Sequence, residues 1–343
     1  MLNNSNTENA IDAVITWVDG SDPAHKKKLE AYLQQIGDVR HPSADPTRFN
    51  DAGEIEYCVA ALLRFTPWIR HIYIVTDAQR PKLIQKIIGT PYEGRVKIVD
   101  HRDIFAGYEA CLPTFNSSSI LPMLWRIPGL SENFLFLNDD FFIIRELNPS
   151  DFFRDDKVVL RGNWHKFSEN LWYKRLAKYV KSLFVTPANH VRPKRAGFLA
   201  GQELSAKLVG FKDKYFRVPH NPHAWRVSTQ AKYFSANPMV LQNSIKFRLR
   251  SPEQFIGESL AAHLELINGN AIVDKKLKTI QIKPASQLTR ELQLRLWWAD
   301  VDSSCAFMCV QSLERGSGEN QKMVIEWLNR RIGSLDRLLL GKE

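Results

Sequence analysis

Residues 133–142 read NFLFLNDDFF, and the fold turns on them. The apolar run Phe134–Leu137 has the length of a buried strand and is too short for a core helix. It stops abruptly in Asn138, Asp139 and Asp140. Three segments upstream share the pattern: IDAVITWVD (11–19), HIYIVTD (71–77) and RVKIVD (95–100). Each is a β-rich run that ends in an aspartate. Helical patterns lie between them, around 24–36, 54–65 and 80–88. This alternation predicts an α/β fold, a Rossmann-like and mostly parallel sheet covered by helices. Residues 1–10 are polar and expected to be disordered. Residues 11–150 form the N-terminal part of the α/β domain, 151–217 a basic and partly helical insert, and 218–343 a C-terminal part that reads as mainly helical, with helices near 228–235, 252–267 and 319–331.

At 343 residues the chain is long enough for one large domain or two ordinary ones, and its 44% hydrophobic content excludes global disorder. No apolar run approaches the roughly 20 residues of a membrane-spanning helix. The start, MLNNSNTENA, lacks the basic and apolar regions of a signal peptide. Cys58, Cys111, Cys305 and Cys309 are too scattered for a disulfide framework, and no zinc-ligand spacing surrounds them, so Cys305 and Cys309 are expected to be buried. Together these predict a cytoplasmic protein. The net charge of +10 favours polyanionic partners, and it is concentrated. Residues 157–217 carry 14 Lys and Arg against 3 Asp and Glu. Within them Asn170–Phe184 reads as an amphipathic helix with Lys174, Arg175, Lys178 and Lys181 between its aromatic residues, suited to peripheral contact with an anionic inner membrane or another polyanion. No nucleic-acid motif accompanies the charge, and nucleic acid is not an expected partner.

A parallel sheet brings the aspartates that end its strands (Asp19, Asp77, Asp100, Asp139 and Asp140) to one edge, where open α/β sheets bind ligands. A single aspartate after a strand commonly caps a helix or makes a turn, which is the expectation for Asp77 and Asp100. The adjacent pair Asp139–Asp140 repels itself unless a cation or donors offset the charge, and hard cations such as Mg²⁺ take this type of oxygen ligand. Dinucleotide, P-loop, serine-hydrolase and metalloprotease motifs are all absent. VPHNPHAWR (218–226) sets His220 and His223 in a proline-bounded loop, where an imidazole can either accept a proton near neutral pH or serve as a structural hydrogen-bonding residue. FRLRSPEQF (247–255) offers Arg248 and Arg250 either to phosphate or to surface ion pairs.

Together these segments resemble the Stealth proteins. IDAVITWVDGSDP (11–23) is similar to their first conserved block. The second runs from RFNDAGEIEYCVAALLRFTPWIRHIYIVTDAQRP (48–81) through RVKIVDHRDIF (95–105) and LPTFNSSSI (112–120) to RIPGLSENFLFLNDDFF (126–142). VPHNPHAWR and FRLRSPEQF match the third, and FMCVQSLERGSGENQK (307–322) matches the fourth weakly. The resemblance implies a nucleotide-sugar-transferase-like fold. It also implies transfer of a hexose 1-phosphate, in particular an N-acetylhexosamine 1-phosphate, from a UDP-sugar donor to a hydroxyl of a capsular oligosaccharide or polysaccharide acceptor, with release of UMP. The alternative on the same fold is a metal-dependent glycosyltransferase that forms ordinary glycosidic bonds.

Carried onto this sequence, the resemblance makes Asp139 and Asp140, with Asn138, the holders of Mg²⁺ or Mn²⁺ on the donor diphosphate. Gln311 is a further oxygen ligand. His220 is the base and Arg250 the arginine near the phosphates. Trp17, Asp19 and Gly20 lie where the nucleotide is expected, Asn50, Asp51 and Glu54 shape the donor pocket, and Asn116 sits near the donor sugar. His223 and Arg248 complete the substrate-binding set, and Asp12 is structural. The chain departs from relatives at Leu121, Trp125 and Gln311–Ser312, where glutamate, histidine and an Asn-Asp pair are common.

Overall fold

The structure is a computed structural model that describes residues 10–37, 44, 49, 52–171 and 197–341. Eight strands build the two sheets that frame the site: β1 (Ile11–Thr16), β2 (Ile72–Thr76), β3 (Val96–Asp100), β4 (Asn133–Asn138), β5 (Phe141–Ile143), β6 (His223–Arg226), β7 (Lys278–Ile282) and β8 (Cys305–Val310). The main sheet has the order β6–β4–β1–β2–β3. β4, β1, β2 and β3 are mutually parallel, in the α/β manner predicted, and β6 closes the edge antiparallel to β4.

Both faces of this sheet are covered, which explains why its strands are apolar throughout. Ala13, Ile15, Ile72, Ile74, Leu135 and Leu137 point to one side and pack against the helix Glu54–Phe65. Val14, Tyr73, Val75, Phe134 and Phe136 point to the other, among Leu260 and Leu264 of the helix Gly257–Ile267. Alternate residues thus enter two different cores. Burying one such side chain contributes about 1.5–3 kcal/mol. Trp225 of β6 joins the second core, stacked on Phe136 at 4.8 Å and edge-on to Phe134 at 5.7 Å.

The helix after β1, Pro23–Ile36, starts and stops where local chemistry dictates. Asp22 accepts the His25 N–H at 2.8 Å, Pro23 occupies the first turn, and Gly37 ends the helix at φ 67°.

Beyond residue 218 the chain is less helical than its sequence suggests. It carries β6, Ala271–Val273, β7 and β8 besides its helices. CAFMCV (β8) is buried at every position, so it lacks the alternation that marks a half-exposed strand. It pairs parallel to β7 and antiparallel to β5, forming a second sheet directly beyond the Asp139–Asp140 turn. Cys305 and Cys309 are buried there, as expected. Residues 172–184, most of the amphipathic basic stretch, and residues 1–9 lie outside the described residues. No described helix is long and apolar enough to cross a membrane.

Candidate active site

The carboxyl ends of the parallel strands meet at one edge, and each aspartate there has a different local role. After β1, the Asp19 backbone is clamped by Gln79: its N–H donates to Oε1 at 3.0 Å and its carbonyl accepts from Nε2 at 2.8 Å. The Asp19 carboxylate accepts the Ser21 N–H at 2.7 Å. After β2, Asp77 pairs with Lys28 at 2.8 Å. Asp100 caps the short helix His101–Ile104, accepting the Arg102 N–H at 2.9 Å, and also accepts the Ala78 N–H at 2.8 Å. At the opposite end of β1, buried Asp12 holds Arg70 in a two-point pair of 2.9 and 2.6 Å, in the structural role expected.

Asp139 and Asp140 sit in the turn between β4 and β5, and that turn is fixed from three sides. Thr16 of β1 donates to the Asn138 side chain at 3.3 Å. Cys58, fully buried in the helix Glu54–Phe65, donates its thiol to the Phe141 carbonyl at 3.3 Å. From β8, the Val310 N–H donates to the Asp140 carbonyl at 3.1 Å, and the Cys309 thiol points at Asp140 Oδ2 from 3.6 Å. Burial pushes the Asp140 carboxyl up to about 7, against the lowering effect of the Cys309 contact. Among the described residues no cation ion-pairs with it.

Gln311 follows β8 and so lies beside this turn. Its N–H donates to the Ile282 carbonyl at 2.9 Å, and its side-chain oxygen accepts from Gln281 at 3.0 Å, leaving one lone pair. Two adjacent carboxylates and an amide oxygen are a hard-oxygen donor set. They suit a cation that keeps waters or substrate phosphates as its remaining ligands. Among the described residues no group of three or more His, Cys, Asp or Glu side chains is placed to hold a metal ion.

His220 packs against two aromatic rings. Its ring stacks on Phe198 at 4.4 Å and lies 6.0 Å from Phe141, the residue after Asp140. Burial and, after it, the positive charges of Lys283, Arg217 and Arg250 together push the imidazole down to about 4. His220 is therefore a neutral imidazole at pH 7, the form that can accept a proton. His223 is also neutral, held at about 3 by burial, but it lies inside β6 opposite Phe136 and is 8% exposed. Of the two histidines only His220 is half open to solvent.

Arg250 and Arg248 ride on a loop fastened by a buried amide network. Asn116 caps the turn Ser117–Ile120 through its oxygen, while its nitrogen donates to the Phe247 carbonyl at 3.0 Å and to Gln254 at 2.8 Å. Gln254 in turn donates to Ser119 at 3.0 Å and to the Ser244 carbonyl at 2.8 Å. Asn116 is 1% exposed, and its amide fastens the arginine loop. Arg250 donates to Ser117 Oγ at 2.7 Å. Arg248 donates to the Ala110 carbonyl at 3.1 Å and lies over the Tyr32 ring at 5.4 Å.

Trp17 is buried in the main core just past β1. The Gly20 N–H donates to the Phe49 carbonyl at 2.5 Å, and a Cβ on Gly20 would stand 2.5 Å from that oxygen, so only glycine fits. Glu54 is buried at the helix start and accepts the Ala52 N–H at 2.6 Å. Asn50 and Asp51 lie outside the described residues.

Two groups at this site carry no signal in the sequence. Lys283, half-buried just past β7, is the foremost charge acting on His220 and also acts on Cys309, the residue whose thiol points at Asp140. Glu258, buried at the start of the helix Gly257–Ile267, is pushed up to about 7 by burial, with the Arg250 charge opposing. Lys283 looks like any lysine of a basic sequence, and Glu258 like any first-turn acid. Only the pairing of β7 with β8 and the packing of that helix bring them here.

The fold and site define an α/β protein whose sheet edge presents an adjacent acid pair, a neutral histidine and a set of basic side chains. Two family models match it: Stealth protein CR1, conserved region 1, over residues 9–37, and Stealth protein CR2, conserved region 2, over residues 48–160. Capsular polysaccharide phosphotransferase cps1A of Actinobacillus pleuropneumoniae is 43% identical over 307 residues, covering 79% of this chain and 81% of its own. The chain belongs to the Stealth family. Its match to the capsular polysaccharide phosphotransferase of Actinobacillus suis is also 43% identical but spans 46% of this chain and 41% of that protein. A match to an exopolysaccharide phosphotransferase of Streptomyces coelicolor, at 45% identity, covers 42% of this chain and 23% of that protein. Among solved structures, an active-site mutant of LgtC aligns over 93% of this chain and 95% of its own at 10% identity, with a TM-score of 0.45.

Proposed function

We propose that this chain is a phosphotransferase that moves a hexose 1-phosphate, an N-acetylhexosamine 1-phosphate in particular, from a UDP-sugar to a hydroxyl of a capsular saccharide. The observation that carries the reading is the setting of His220: a neutral imidazole packed against Phe141, next in sequence to Asp140, with the charges of Lys283, Arg217 and Arg250 acting on it. The phosphotransferase names of relatives that share this core support it.

In this reading His220 accepts the proton of the acceptor hydroxyl as its oxygen attacks the sugar-bearing phosphorus of the donor. The bond from that phosphorus to the bridging oxygen breaks, UMP leaves, and a phosphodiester joins acceptor and donor sugar. Arg250 and Lys283 meet the oxygens on which charge is concentrated, and positioning with charge neutralisation is most of what phosphoryl transfer asks of a protein. Mg²⁺ or Mn²⁺, held by Asp139 and Asp140 with Gln311 beside them, supplies charge neutralisation at the diphosphate when bound. Asn138 and Cys58 hold the turn that aims the two carboxylates.

The test is product chemistry. Purified protein, Mg²⁺, a capsule-oligosaccharide primer and a panel of UDP-sugars should yield UMP and a phosphodiester signal in phosphorus NMR. Release of UDP with a purely glycosidic product would move the assignment to a glycosyltransferase.

A further inference from the structure

A helix that packs against a core needs only one apolar side, and the helix Thr289–Val301 has two. At about 100° per residue, Leu292, Leu296 and Ala299 fall on one face and are buried in the main core with Trp327 and Leu328. Leu294, Trp297, Trp298 and Val301 fall within a ~100° arc on the opposite face. These four are 61%, 53%, 48% and 54% exposed. The two indoles lie side by side, ring centroids 6.0 Å apart. Leu288, just before the helix, is 79% exposed, the highest value for any large apolar side chain among the described residues. Five of the fifteen such exposed side chains fall in this one stretch, so it is a patch and not the scatter of an ordinary surface.

Ion pairing leaves a net basic charge around the patch. Every acid on the helix and at its end is neutralised within the protein: Glu291 by Arg295 at 2.9 Å, Asp300 by Arg330 at 2.8 Å, and Asp302 by Lys278 at 3.1 Å. Arg290 lies on the apolar arc, one turn before Leu294. Exposed Lys275 and Lys276 precede β7, whose Lys278 ties it to the end of the helix. A patch of tryptophan and leucine with a cationic rim fits an anionic lipid surface, where indole rings settle at headgroup level and arginine and lysine meet phosphate. A second copy of the chain fits less well, because a two-fold contact through this face would set the same basic rims against each other. The patch also begins close to the site. Leu288 follows Gln287, whose side chain accepts the Lys283 N–H at 2.6 Å.

We propose that the Leu288–Val301 face docks the protein on an anionic bilayer, with the helix lying in the membrane plane and the edge that carries Lys283 held near the lipid surface. The proposal does not depend on the transfer reaction, because binding is measured without donor or acceptor.

Purified full-length chain is floated with vesicles of phosphatidylglycerol and phosphatidylethanolamine, and separately with phosphatidylcholine alone. Wild-type protein should float with the anionic vesicles and not with the neutral ones. Trp297→Ser/Trp298→Ser should lower the bound fraction at least tenfold with an unchanged melting temperature, since neither indole supports the core. High salt should weaken binding, as rim charges are screened. The proposal is overturned if wild-type protein fails to float, or if the double variant floats equally well. It is also overturned if the double substitution splits a dimer into monomers while flotation persists, which would make the face an interface between copies. Replacing Lys174, Arg175, Lys178 and Lys181 with Gln separates this face from the basic insert. Loss of flotation in that variant alone, with the tryptophan variant unaffected, would move the contact to the insert.

Discussion

The aspartates that end β1, β2 and β3 and the pair that ends β4 occupy equivalent places in the sheet, yet their surroundings divide them. Asp19 organises its own turn, Asp77 is met by Lys28, and Asp100 caps a helix. Among the described residues Asp140 meets its own backbone N–H and the Cys309 thiol at 3.6 Å, with no cation, and burial raises its carboxyl to about 7. Residue type and topological position are the same, and what differs is whether the fold supplies a counter-group. A buried carboxylate for which the fold supplies no cation or strong donor is costly to keep charged, and such groups concentrate where an external ligand supplies the missing charge. On the proposed function, the edge divides into a structural part under β1–β3 and a chemical part under β4.

Substituting at Asp140 should give the largest effect. Asp140→Asn keeps the shape and removes the charge, so turnover should fall by about 10³-fold or more, as should turnover of wild-type protein in excess chelator. Initial rates of UMP release measure both. Full activity of either would place the chemistry elsewhere and erase the contrast between the two parts of the edge.

The histidines pose the same contrast at shorter range. His220→Ala should lower kcat by about 10²–10⁴-fold and leave donor binding nearly intact, the pattern of a group that acts in the transition state. His223→Ala, in a strand and nearly covered, should show itself in the melting temperature, with the activity of the folded fraction largely kept. Reversed effects would assign the base to the second histidine of the loop.

Lys283 sharpens the picture through pH. In donor-free protein His220 titrates at about 4, because burial and then the charges of Lys283, Arg217 and Arg250 disfavour the imidazolium. Removing a neighbouring positive charge makes protonation easier, so Lys283→Gln should raise that value, as followed by NMR of the imidazole. Turnover should fall on the order of tenfold, less than for a fully buried oxyanion donor because the lysine is half-solvated. An unchanged His220 titration would place Lys283 too far from the base to act on it.

The sequence exposed the first part of this organisation better than the second. Strand ends, the acid pair and the histidine loop are local patterns, and the resemblance fixed their register. Lys283 and Glu258 were invisible because no local pattern distinguishes them, and their position follows from which strands pair and which helix packs where. Asn116 adds a role that its matched block does not reveal: its amide bonds Ser118, Phe247 and Gln254 and fastens the loop of Arg248 and Arg250. The antiparallel β6 is missed because it has four residues, and β8 because it is apolar at every position and so shows no strand alternation.

The smallest expected effect lies at Asp100, and it tests the structural part of the edge directly. Its carboxylate accepts the N–H groups of Arg102 and Ala78, and Asp103 returns the bond to the Asp100 N–H at 3.0 Å. Asp100→Ala removes an N-cap, which costs about 0.5–2 kcal/mol. In a chain of this size that lowers the melting temperature by a few degrees at most. Turnover should stay within about twofold of wild type, since neither N–H belongs to a residue near the acid pair. The ratio of the two outcomes is the informative quantity. If Asp100→Ala costs as much turnover as Asp140→Asn while the melting temperature barely moves, Asp100 touches substrate, and the edge is a single site spanning β3 to β4 instead of a structural part beside a chemical one.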